Sequence, residues 1–117
     1  MKRIYLILVL LATTLLASCE AFQETTYQLY YDSFSGTDEV KRIEVREFNE
    51  DKGLYENVKT INLLKGERSQ IYEISSDIAF LEITIVGQYN PTQEIYFIKQ
   101  YYPTIGEDNL IKLSSLE

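Results

Sequence analysis

The chain has 117 residues, enough for one domain, since domains most often run to about 100–150 residues. It carries 18 acidic against 11 basic residues, a balance that excludes the basic footprint nucleic-acid binding needs. Cys19 is the one cysteine and histidine is absent, which excludes a disulfide scaffold, a Ser-His-Asp triad and the usual zinc ligand sets.

In chain order, Lys2 and Arg3 are the only charges before Glu20, and the run from Ile4 to Leu16 is apolar except for Thr13 and Thr14. A basic start, a short apolar run and small residues before a cut site form a secretory signal. A spanning helix needs about 20 apolar residues, more than the stretch from Ile4 to Cys19 supplies. Residues 1–18 are therefore read as a cleaved signal.

The stretch Leu16-Ala17-Ser18-Cys19 resembles the lipobox of bacterial lipoproteins. The resemblance covers residues 1–19 and implies cleavage between Ser18 and Cys19, a diacylglyceryl group on the thiol, and acylation of the new N-terminus. Two or three acyl chains, palmitate among them, would hold the protein to a bilayer without a spanning helix. Glu20 follows where Asp favours inner-membrane retention in proteobacterial lipoproteins, so the implied location is the outer membrane, with its periplasmic or outward face left open. Two of the 11 basic residues and none of the 18 acidic ones leave with the signal, so electrostatic adhesion to anionic lipid is not expected.

Residues 19–26 are read as the acylated N-terminus and a tether, and residues 27–117 as the folded domain. Tyr27, Leu29 and Tyr31 alternate with Gln28 and Tyr30, the period of a strand. Residues 33–38 form a turn around Gly36. Val40 to Phe48 is read as a strand because Ile43 and Val45 are β-branched, although Thr37 or Asp38 offers a helix cap. After a polar turn at 49–53, strands are expected over Tyr55–Leu64 and Gln70–Ile74, separated by a turn at Lys65-Gly66-Glu67.

The clearest strand runs from Ile78 to Val86, with Leu81, Ile83 and Ile85 inward and Glu82 and Thr84 outward. Gly87 to Gln93 is expected to turn. Glu94 to Tyr102, apolar on both faces, is expected to lie centrally in a sheet, and Leu110 to Leu113 to close the fold. Short strands at such spacing predict a single all-β domain, an immunoglobulin-like or transthyretin-like β-sandwich of about seven strands.

Little in this pattern carries chemistry. The pairs Asp38-Glu39, Glu50-Asp51 and Glu107-Asp108 fall in turns without calcium-loop spacing, and no glycine-rich phosphate loop occurs. No catalytic residue, cofactor or metal is expected. Tyrosine is the enriched type, with ten residues, and Tyr30-Tyr31 and Tyr101-Tyr102 are adjacent within strands. One ring of each pair must face outward, and exposed tyrosine is enriched at protein interfaces. The expectation is a non-catalytic interaction or structural module of the cell envelope with a protein partner. Alternatives are a small-ligand or glycan-binding lipoprotein and a protein inhibitor of an envelope hydrolase.

Overall fold

The computed structural model describes residues 23–117. The lipobox, with Ser18 and Cys19, lies outside the described residues. Seven strands form: β1 (Thr25–Tyr30), β2 (Val40–Asn49), β3 (Leu54–Ile61), β4 (Tyr72–Ile74), β5 (Ile78–Asn90), β6 (Gln93–Tyr101) and β7 (Asp108–Lys112). A short 3-10 turn, Leu113–Leu116, ends the chain.

Two sheets pack into a β-sandwich, one ordered β4-β1-β7 and the other β3-β2-β5-β6. Every pairing is antiparallel except β1 with β7, which run parallel. The constant-type immunoglobulin arrangement sets strands one, two, five and four side by side; this chain does not adopt that order.

Alternation dictates the core. Tyr27, Leu29, Ile74 and Ile111 from the smaller sheet meet Ile43, Val45, Leu81, Ile83 and Ile85 from the larger one, all buried. Val40–Asn49 is a strand, as its β-branched residues predict. Ile43, Val45, Glu47 and Asn49 lie on its inner face, all buried. Asn49 is fully buried yet satisfied, donating to Glu56 and Asp77 at 2.9 Å each and accepting from the Lys52 amide at 3.1 Å. Its side chain thereby ties the β2–β3 turn to the β4–β5 turn. Asn109 does the same for the loop before β7, donating to the carbonyls of Thr26, Thr104 and Glu107.

Three expectations are corrected. The folded domain, expected from residue 27, already includes Thr25, where β1 begins with a buried residue. The expected turn over Gly87–Gln93 shrinks to Pro91 and Thr92, and β5 continues to Asn90. Gly87 serves close approach rather than turning: a Cβ there would lie 2.5–2.6 Å from the Thr37 side chain that crosses it. Finally, β6 is an edge strand, not a central one. Tyr96 and Ile98, its outward apolar residues, are 54% and 59% exposed rather than covered by a further layer.

Candidate functional site

The outer face of the larger sheet carries a row of aromatic rings that crosses β3, β2 and β5 and reaches the end of β6. Phe48 lies opposite Tyr55 on one side and Phe80 on the other, so strand register alone brings three rings abreast. Tyr102, immediately after β6, extends the row. Ring centroids are 5.1 Å apart for Phe48–Tyr55, 4.9 Å for Phe48–Phe80 and 5.5 Å for Phe80–Tyr102. These are ordinary distances for attractive aromatic pairs.

Charged neighbours fix the row. The Arg46 guanidinium stands 4.0 Å over the Tyr55 ring and its Nε donates to Glu82 at 3.0 Å. A hydrogen bond with Glu82 raises the Tyr55 hydroxyl above its ordinary range, with burial adding to it. Tyr102 is 65% exposed and donates to Gln100 at 3.2 Å, so the row ends in a ring open to solvent.

The expected tyrosine pairs straddle strand ends, Tyr31 following β1 and Tyr102 following β6, and in each the two rings part. Tyr31 is buried, and Tyr101 leans on the core with its hydroxyl donating to Asn109 at 3.2 Å. Tyr30 faces outward, half-buried, with the Arg68 guanidinium 4.9 Å over its ring. Tyr30 and Tyr102 belong to different sheets, so the two pairs do not build one patch. Tyr102 instead joins Phe48 and Phe80, which sequence reasoning passed over. Their signal is parity: Phe80 shares that of Glu82 and Thr84, and Phe48 that of Glu44 and Arg46, all on outward positions.

At one end of the sandwich a cleft of about 670 Å³ opens where Thr25, Glu47, Asn57, Ile74 and Gly106 meet. Glu47 is buried at its inner wall, 2% exposed, and accepts a hydrogen bond from the Asn57 amide. A β-bulge makes this contact: Val45 opposes Lys59 and Glu47 opposes Glu56, so Asn57 and Val58 together face Arg46. Asn57 takes the left-handed conformation, φ 54°, which asparagine tolerates better than most residues. Lys59 completes the arrangement, its Nζ 4.0 Å from Glu47 and 4.9 Å from the Tyr72 ring centroid.

Behind Glu47, the Tyr27 hydroxyl is buried with no hydrogen-bond partner among the described residues. Burial, then the Glu47 charge, pushes that phenol well above its ordinary range. Glu24 and Glu73 also line the cleft, and their mutual hydrogen bond and repulsion raise Glu24. Among the described residues no three metal-ligating side chains converge.

Asn57→Ala removes a donor from a buried carboxylate and forces a Cβ-bearing residue without a polar side chain into the left-handed region. The expected cost is about 1–3 kcal/mol. Asn57→Gly keeps the conformation and loses only the donor, so it should cost less. Urea unfolding of the two variants measures both, and equal stability of all three proteins would remove the bulge from the list of stabilising features.

Comparison with protein-family models, curated proteins and solved structures finds no match to this chain.

Proposed function

We propose that this protein is a lipid-anchored, non-catalytic interaction module of a bacterial cell envelope, held to the outer membrane by acyl chains on Cys19 and docking another envelope protein. The anchor rests on the lipobox-like Leu16-Ala17-Ser18-Cys19 and the apolar run before it. The docking role rests on one observation, the Tyr55–Phe48–Phe80–Tyr102 row on the face turned away from the core. A sheet face with no layer over it ordinarily alternates to polar residues. Aromatic anchors flanked by arginine are where contact energy concentrates in protein interfaces.

The ring geometry favours a protein over a glycan. Phe48 and Phe80 stack on one another at an interplanar angle of 19°, and Arg46 covers Tyr55. Those faces are therefore engaged within the row and are not offered as flat platforms to sugar rings.

Cross-linking in intact cells followed by purification of the acylated protein tests the reading. A stoichiometric envelope protein should be recovered, and Tyr102→Ala should reduce its yield at least tenfold while leaving the unfolding midpoint unchanged. Full capture by Tyr102→Ala, or capture that depends instead on Tyr30, would place the docking surface elsewhere.

A further inference from the structure

We infer that β6 is a dimerisation edge: two copies of this chain pair their β6 strands antiparallel about a two-fold axis at Phe97, joining the four-stranded sheets into one of eight strands. The inference is independent of the lipid anchor and uses an edge of the sheet rather than its aromatic face.

The four edge strands are not treated alike. An unpaired edge is a template for another strand, and proteins blunt such edges with bulges, short length or inward charges. The bulge at Asn57 and Val58 breaks the edge of β3. The edge strand β4 has three residues, and β7 has five before turning into the 3-10 segment. In contrast β6 has nine residues and no proline. It stays in register with β5 without interruption from Leu81↔Tyr101 to Gln88↔Glu94. Among the described residues no strand pairs with its far side.

Its side chains suit a copy of itself. With Phe97 on the axis, Tyr96 meets Ile98 of the other copy on the outer face, and Ile95 meets Lys99 on the inner one. Glu94 meets Gln100, so no like charges stand opposite each other, an arrangement that matters in a chain of net charge −7. Glu94 is moreover neutralised within its own sheet, its Oε2 accepting from Arg42 Nη1 at 2.7 Å. Tyr96 and Ile98, both more than half exposed, would bury against each other twice, once on either side of the axis. The asymmetry between edges also limits the assembly. A filament would need β3 to accept β6, and its bulge opposes that, so pairing closes at two copies.

Sedimentation equilibrium of the full chain in density-matched detergent reads the protein mass directly. The expected mass is twice that of one chain. Ile98→Glu should weaken the dimer at least a hundredfold with the β-sheet circular dichroism spectrum retained, and Tyr96→Lys should do the same; the unfolding midpoint should fall only as far as loss of association requires. The double variant Tyr96→Lys/Ile98→Glu sets opposite charges against each other across the axis and should restore the dimer. Val58→Glu, on the β3 edge, should leave it intact. A monomeric wild-type chain, or a dimer lost in Val58→Glu and kept in Ile98→Glu, would overturn the inference. A double variant that dissociates as readily as the single ones would overturn the antiparallel register through Phe97.

Discussion

Cys19→Ala should abolish lipid labelling completely, leave the precursor at its uncut mass and remove the protein from the outer-membrane fraction. The expectation is large because the proposed anchor rests on that one thiol. Each acyl CH₂ contributes about 0.8 kcal/mol of membrane affinity, one chain holds only marginally, and a second makes the anchor stable. Acidic residues outnumber basic ones 18 to 11 over the whole chain, and the proposed cleavage before Cys19 would remove Lys2 and Arg3 as well. Anionic lipid therefore repels the domain, whereas a polybasic segment would gain about 1 kcal/mol per Lys or Arg. Metabolic labelling with a radioactive or clickable fatty acid, with fractionation of the envelope, reads all three outcomes. A variant that is cut at its ordinary position and stays in the outer membrane would make Leu16-Ala17-Ser18-Cys19 an incidental match.

Where strands have one wet face, their sequence shows it. Ile43 and Val45 in β2, and Leu81, Ile83 and Ile85 in β5, alternate with charged or hydroxyl side chains, and all five are buried. The same parity carries Glu47 and Asn49 inward, which is unexpected only for their chemistry. Their burial depends on partners brought from a distance, the Asn57 bulge for one and Asp77 for the other. Nothing local announces a bulge at Asn57 or the parallel seating of β1 beside β7.

In β6 the sequence pattern misleads for a physical reason. Apolar residues on both faces mark a strand buried between layers, but β6 stands at the end of its sheet and Tyr96 and Ile98 are exposed. The aromatic row fails differently. Each of Phe48, Phe80 and Tyr102 is legible as an outward position, yet only the strand order β3-β2-β5-β6 sets them side by side. The adjacent tyrosines are neighbours in sequence, whereas the ring neighbour of Tyr102 lies across strands.

Ile83→Ala should destabilise the domain by about 2–5 kcal/mol, as truncation of a buried aliphatic side chain to alanine does when the cavity cannot collapse. Collapse is opposed here on both sides. Ile83 is fully buried in β5, paired to Val45 of β2 and to Lys99 of β6, so the backbone around it is held by two ladders. The opposite sheet supplies Leu29 and Ile111 to the same core. Thr84→Ala, one residue on, removes a half-buried outward hydroxyl between Glu44 and Ile98 and should cost less than about 1 kcal/mol. A domain of this size has only about 5–15 kcal/mol in total. At roughly 4–8 °C per kcal/mol, Ile83→Ala should therefore lower the melting temperature by about 10 °C or more, against a few degrees for Thr84→Ala. Urea unfolding with unchanged m-values for both variants makes the comparison direct. The inverse ranking would mean that β5 is turned by one residue, which would also turn Phe80 inward and dissolve the aromatic row.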